Sequence, residues 1–162
     1  MDEFEKFYNK ALKFLSYRPR SVDEVRKNLL ESRGRFGSAK RNTTPEIAEK
    51  IISKLKEYKF LDDKEFVKWW VEQRTNYKPR SLRLIKMELG QKGIGKDLIE
   101  EVVENLETRV DDLQSAKKLI ERRLNKYKNL PRDEKFQKVA RYLSSKGFNY
   151  DIIKEIFKEI EN

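Results

Sequence analysis

The chain has 162 residues and contains no cysteine and no histidine. The missing cysteines exclude disulfides, thiol nucleophiles and cysteine zinc sites, and the missing histidines remove the commonest general base and metal ligand. No apolar run exceeds three residues, so none is long enough to span a bilayer. The N-terminus is acidic and lacks the pattern of a signal peptide. We therefore expect a soluble, cytoplasmic protein with no membrane partner, no metal and no cofactor.

Positive charge is abundant. Lysine and arginine number 38 against 28 acidic residues, a net charge of +10. Such an excess favours binding to a polyanion, because basic side chains release counterions from phosphates. An ion-pair-rich surface is the alternative; disorder is disfavoured by 11% aromatic residues, 6 glycines and 4 prolines. The net charge is +6 over residues 1–61, −1 over 62–107 and +5 over 108–162.

Apolar residues recur at three- and four-residue steps, as in Phe7, Ala11 and Phe14. This spacing is typical of amphipathic helices, and no stretch shows the strict alternation of a strand. The sequence therefore predicts an all-α protein. Trp70 follows Phe66 at helical spacing, which predicts that this tryptophan lies in the core.

Two short motifs repeat along the chain. Tyr17-Arg-Pro-Arg-Ser21 recurs as Tyr77-Lys-Pro-Arg-Ser81 and, more loosely, as Leu130-Pro-Arg-Asp133; Lys92-Gly93 recurs as Lys146-Gly147. These repeats predict three tandem three-helix repeats over residues 1–61, 62–107 and 108–162. Each has a first helix, a Pro-Arg turn, a second helix, a short turn and a third helix. Residues 33–43 form an insertion in the first repeat.

Helix-capping residues lie where these helices should begin. Ser21 with Glu24, Asp62 with Glu65, and Asp111 with Gln114 have capping-box spacing, while Thr44, Asp133 and Asn149 are N-cap residue types. Gly93 and Gly147 are suited to end helices in the left-handed conformation. The acidic pairs 62–63 and 111–112 have the composition of a carboxylate dyad or metal site, but their places at helix starts favour capping. With no phosphate-binding glycine motif either, we do not expect an enzyme.

Basic residues in several places are candidate contacts with DNA or a protein–DNA filament. They are Arg20 and Arg80 of the Pro-Arg turns, Arg83 of the following helix, Arg33, Arg35, Lys40 and Arg41 of the insertion, and Lys117, Lys118, Arg122 and Arg123 of a helix running through Lys128. The insertion is either a mobile basic loop or an ordinary surface insertion. The basic side of the helix that carries Lys117 to Lys128 is either a contact surface or simply a solvated face. Tyr17 and Tyr77 are expected to brace the turns, and Trp69 to pack between repeats.

Several segments of the sequence resemble the RecX family of bacterial regulatory proteins, which bind the recombinase RecA. The similar segments are Ala11–Val25, Tyr58–Phe66, Val71–Arg74, Pro79–Leu89 and Lys92–Ile94. The Leu-Asp-Asp box, the Val-x-x-Arg step and the Lys-Gly-Ile ending are specific in combination, although each is weak alone.

The resemblance implies three tandem three-helix repeats that form a curved, elongated molecule. It implies a protein of DNA repair, homologous recombination and the SOS response that binds the groove of the RecA–DNA filament. Such a protein lowers ATPase activity and strand exchange, limits filament growth and binds single- and double-stranded DNA itself. We expect a monomer. The residues alone leave open a free-standing DNA-binding protein of helix-turn-helix-like units and a helical-repeat scaffold.

Overall fold

The computed structural model describes residues 1–31, 42–106 and 110–162. In these ranges the chain forms ten helices and no strand, which confirms the all-α prediction. The helices are α1 Glu3–Tyr17, α2 Val22–Leu30, α3 Pro45–Glu57, α4 Asp63–Asn76, α5 Leu82–Gln91, α6 Lys96–Glu104, α7 Asp112–Glu121, α8 Leu124–Tyr127, α9 Arg132–Ser145 and α10 Tyr150–Glu161. None of these ten is both long enough and apolar enough to cross a membrane.

Side-chain caps begin helices at most of the predicted places. The Ser21 hydroxyl accepts a hydrogen bond from the Glu24 N–H at 3.1 Å, and the Glu24 carboxylate accepts one from the Ser21 N–H at 3.0 Å. The side chains of Thr44, Asp111 and Asn149 each accept a backbone N–H in the first turn of α3, α7 and α10. These bonds satisfy amide groups that have no partner within their own helix.

The start of α9 differs from the prediction. This helix begins at Arg132 with Pro131 as its N-cap residue, so Asp133 lies inside the first turn and not at the cap. Proline supplies no capping side chain, and an acidic residue in the first turn interacts favourably with the helix dipole instead.

The predicted single helix through Lys117 and Lys128 is also wrong, because a turn at Arg122 and Arg123 divides it into α7 and α8. The Arg123 N–H donates to the Ile120 carbonyl at 2.8 Å, a three-residue hydrogen bond that winds the chain more tightly than an α-helix. Beyond the turn, the side chain of Tyr127 is buried in the core.

The chain packs as two compact units. One comprises Met1–Trp69 and Leu89–Val102, and the other comprises Trp70–Glu88 and Val103–Asn162. The second predicted repeat therefore contributes residues to both units. The repeat boundaries at 61 and 107 stay a prediction, since compactness within a unit does not define a repeat.

Each unit has its own apolar core. In the first unit, α1, α2 and α3 bury Ala11, Val25, Leu29, Ile51 and Leu55. In the second unit, α7, α9 and α10 bury Ala116, Ile120, Val139, Leu143 and Ile156. Truncation of one such leucine to alanine costs about 2–5 kcal/mol, so the cores fix the helices that carry the surface residues.

The tryptophans and exposed tyrosines correct part of the aromatic assignment. Trp70 is only half-buried; its indole N–H donates to the Glu88 carboxylate at 2.9 Å, a bond that a fully apolar core does not offer. Trp69 is half-buried near Arg18, as expected of packing between repeats. Tyr17 and Tyr77 are 71% and 65% exposed, so they do not brace the turns.

Candidate functional site

Two equivalent contacts connect the start of a second helix to the following predicted repeat. In the first joint, the start of α2 (21–24) meets Asp63 and the turn at 92–93. In the second joint, the start of α5 (81–84) meets Asp112 and the turn at 146–147. Each joint lies entirely within one of the two units.

Each pair of aspartates caps two helices, one with each carboxylate. The first aspartate of each pair accepts hydrogen bonds from the start of its own helix. The second reaches another helix: Asp63 accepts the Val22 N–H at 2.9 Å, and Asp112 accepts the Leu82 N–H at 2.9 Å. Burial raises the pKa of Asp112, although the bond from Leu82 opposes this rise. The acidic pairs are thus part of the joints.

The glycine of each turn allows the close approach. Gly93 has φ +80° and Gly147 has φ +90°, as predicted for left-handed helix ends. A Cβ on Gly93 would collide with the side chain of Asp23, and one on Gly147 would collide with the Ser81 hydroxyl. Glycine is therefore required at both turns for conformation and for space.

The first joint neutralises its own charge. The Glu24 carboxylate pairs with Arg18 at 2.5 Å and with Lys92 of the turn at 3.2 Å. Burial alone would raise the pKa of Glu24, but hydrogen bonds from Arg18, Ser21 and Lys92 hold it below its ordinary value. The nearby Arg20 lies 3.9 Å from the Phe14 ring centroid, and burial lowers its pKa.

The second joint lacks both of the corresponding acids. Leu84 stands where the first joint has Glu24, and Arg83 stands where it has Asp23. Because leucine cannot accept a hydrogen bond, the Ser81 N–H donates instead to the Lys146 carbonyl at 3.1 Å. In the first joint the corresponding lysine carbonyl, that of Lys92, accepts instead from the Ser21 hydroxyl at 2.6 Å. In the described part of the second joint, no carboxylate pairs with Lys146 as Glu24 pairs with Lys92.

Four basic residues lie at or beside this joint, and we name Arg80, Arg83, Arg123 and Lys146 the cation cluster. The Arg123 guanidinium lies 4.0 Å, and the Lys146 ammonium 5.6 Å, from the centroid of the Tyr142 ring. Arg80 directly precedes the serine that binds Lys146, and Arg83 donates weakly to the Gly147 carbonyl at 3.5 Å.

The cation cluster has no carboxylate partner in the part of the chain that the structure describes. Within the described ranges, none of its four side chains forms an ion pair with a carboxylate. Burial, followed by the charges of Arg80, Arg123 and Arg74, lowers the pKa of Lys146. Like charges held together in this way form a favourable site for an anion, which removes their mutual repulsion.

The other predicted contacts are more dispersed. Lys117 pairs with Glu159 of α10 at 3.1 Å. Lys118 and Arg122 are exposed on the surface near the cation cluster's Arg123 in sequence. The insertion's candidates, Arg33, Arg35, Lys40 and Arg41, lie outside the described residues.

Sequence reasoning missed Lys146, which it treated only as part of a helix-ending turn. The signal was present in the aligned repeats. The residue three places after the capping serine is glutamate in the first joint and leucine in the second, so the second lysine loses the carboxylate that balances the first.

The described helices and the cation cluster define a basic protein built from tandem three-helix domains. Sequence models of the first, second and third three-helix domains of RecX match residues 8–32, 62–103 and 110–157 respectively. The chain belongs to the RecX family, and the predicted fold of tandem three-helix repeats is confirmed.

Individual relatives agree with this assignment. Regulatory protein RecX of Bacillus subtilis (strain 168) is 34% identical over 160 residues, which are 99% of this chain and 57% of that protein. RecX of Clostridium botulinum (strain Eklund 17B / Type B) is 37% identical over 115 residues, 70% of this chain and 53% of the relative. The chain thus spans somewhat over half the length of these relatives.

Solved structures show the same architecture. The crystal structure of RecX from Lactobacillus salivarius superposes with a TM-score of 0.71 at 29% identity, covering 98% of this chain and 96% of that one. A second crystal structure of regulatory protein RecX gives a TM-score of 0.73 at 29% identity, covering 96% and 73%.

Proposed function

We propose that this chain modulates the recombinase RecA by binding the RecA–DNA filament, without catalysing a reaction itself. In this proposal it lowers the ATPase activity and strand exchange of the filament and limits filament growth. It also binds single- and double-stranded DNA directly. Membership of a family of regulatory proteins supports the proposal.

The observation that carries the proposal is the cation cluster. Its half-buried Lys146 and Arg123 share one aromatic ring and have no carboxylate partner in the described ranges. A backbone phosphate supplies the missing negative charge, and arginine presents a planar fork of donors that fits phosphate oxygens. Each such contact also releases counterions from the nucleic acid.

Other basic residues extend this contact. Lys118 and Arg122 offer exposed charges on the same stretch of chain as Arg123. The ion pair between Lys117 and Glu159 is partly exposed and worth under about 1 kcal/mol, so a phosphate competes with it at little cost. In the first unit, Arg20 is the corresponding turn arginine; the insertion residues remain proposed contacts on charge alone.

The test is the ATPase activity of RecA on single-stranded DNA while this protein is titrated. We expect inhibition, and we expect Lys146→Gln to raise the concentration needed for half-inhibition several-fold. The matched control is Lys158→Gln, which removes the same charge from an exposed position on α10. For DNA binding measured against salt, loss of Lys146 should reduce the logarithmic slope by about one.

The titration also distinguishes mechanisms. Inhibition by substoichiometric protein favours blocking of filament ends, and inhibition only at high coverage favours competition along the groove. DNA binding without any change in RecA ATPase activity would reject the proposal in favour of a free-standing DNA-binding protein. Equal effects of the two glutamine variants would remove the cation cluster from the contact.

A further inference from the structure

The two joints have the same backbone design but different electrostatics. In both, the second aspartate of a pair caps the approaching helix and a left-handed glycine allows close contact. In the first joint Glu24 balances Lys92, whereas in the second joint Leu84 leaves Lys146 unbalanced. The second joint is therefore held together against repulsion between its own positive charges.

The opposing charges lie on the two parts that the second joint brings together. Arg80 and Arg83 belong to the turn and start of α5, while Arg123 and Lys146 belong to the α7–α8 turn and the end of α9. The Ser81 N–H to Lys146 carbonyl bond lies among these charges. Separation of the joint would relieve repulsion, and a bound anion would relieve it without separation.

We propose that the second joint is tightened by a phosphate anion bound at the cation cluster, while the first joint, neutralised by Glu24, does not respond to anions. The inference rests on the proposed phosphate contact and adds a consequence for the protein itself. Since an anion that binds only the closed joint must stabilise it, DNA binding and joint closure are thermodynamically linked.

Residue-resolved amide hydrogen exchange of the full chain tests this inference. The probe is inorganic pyrophosphate, compared with sodium chloride at equal ionic strength to separate binding from screening. At ten times its dissociation constant, pyrophosphate should slow exchange of the Ser81 and Leu82 amides about tenfold. The Val22 amide, which reports on the first joint through Asp63, should not change.

Two substitutions at one position separate charge from hydrogen bonding. Leu84→Glu restores both features of Glu24 and should protect Ser81 without pyrophosphate, leaving less than about a twofold response. Leu84→Gln supplies an acceptor without a charge, so it should keep the response to pyrophosphate. The reverse change, Glu24→Leu, should make the Val22 amide respond to pyrophosphate.

The results that would overturn the inference are distinct from those that reject the proposed function. A response of Val22 equal to that of Leu82, no slowing at any pyrophosphate concentration, or a full response in the Leu84→Glu variant each overturns the inference. If Lys146→Gln weakens DNA binding and RecA inhibition while pyrophosphate leaves Ser81 unchanged, the phosphate contact stands and the linkage to the joint fails.

Discussion

The second aspartate of each pair makes a sharp prediction about stability, best tested at Asp112. Its carboxylate accepts the Leu82 N–H at 2.9 Å, at the first residue of α5. Substitution by alanine leaves this half-buried donor without its partner, which costs about 1–2 kcal/mol, the range of a lost helix cap. Exchange of the Leu82 amide should therefore accelerate roughly 5- to 30-fold.

Asparagine at the same position should behave differently. It keeps an acceptor oxygen but carries no charge, and burial raises the pKa of Asp112, which means that the folded protein disfavours the ionised form. When a carboxyl group has a raised pKa in the folded state, the free energy of unfolding falls as pH rises through that pKa. Because asparagine does not ionise, Asp112→Asn avoids this loss of stability at neutral pH. We expect its stability to lie within about 0.5 kcal/mol of the parent, or above it.

Asp111 is the matched control. Asp111→Ala removes only the local cap of α7. It should lower the free energy of unfolding by about 1 kcal/mol without a specific acceleration of hydrogen exchange at the Leu82 amide. If Asp112→Ala and Asp112→Asn accelerated hydrogen exchange of the Leu82 amide equally, the proposed capping role would be refuted. An effect of Asp111→Ala on Leu82 as large as that of Asp112→Ala would refute it as well.

Two further predictions concern backbone space and pH. Gly147 has φ +90°, and a Cβ there would collide with its neighbours, so Gly147→Ala should lower the free energy of unfolding, measured in urea, by about 1–3 kcal/mol. Gly90 lies inside α5 with open space around it, so Gly90→Ala should raise that free energy by about 0.5–1 kcal/mol. Equal losses of stability in the two variants would contradict the steric argument. Because the pKa of Glu24 is depressed, its stabilisation is complete above the ordinary glutamate value of about 4.3 and is lost as pH falls through the lower folded-state value. Trp69 reports on this change because it lies near Arg18, the ion-pair partner of Glu24. In a Trp70→Phe variant, where Trp69 is the remaining tryptophan, its fluorescence emission should therefore change in acid. An identical pH titration after Glu24→Gln would contradict this prediction.

The sequence predicted most features that depend on neighbouring residues, although not the start of α9 at Arg132. A capping serine, threonine or asparagine bonds to an amide two or three residues away, so Ser21, Thr44 and Asn149 could be assigned as helix starts. The left-handed glycines followed from the same local logic. The helical class followed from periodicity, which local burial enforces over every few residues.

The features that sequence reasoning missed depend on distant pairing. Asp63 reaches Val22 across 41 residues and Asp112 reaches Leu82 across 30, so no local pattern reveals either bond. The position of Trp70 likewise depends on Glu88, which lies on another helix and supplies a polar partner. The cation cluster combines residues from three separate turns or helix ends, and a single-helix charge pattern does not predict it.

The paired joints also amount to a transferable connector. A designer who wished to append a further three-helix module would need a serine at the incoming helix start, an Asp-Asp pair at the first helix of the new module and a Lys-Gly turn within it. One additional position would then select the behaviour of the new connection. Glutamate three residues after the serine supplies a carboxylate that pairs with the lysine of the turn, and leucine supplies none. Under the linkage proposed above, only the connection with leucine would be stabilised by an anionic ligand.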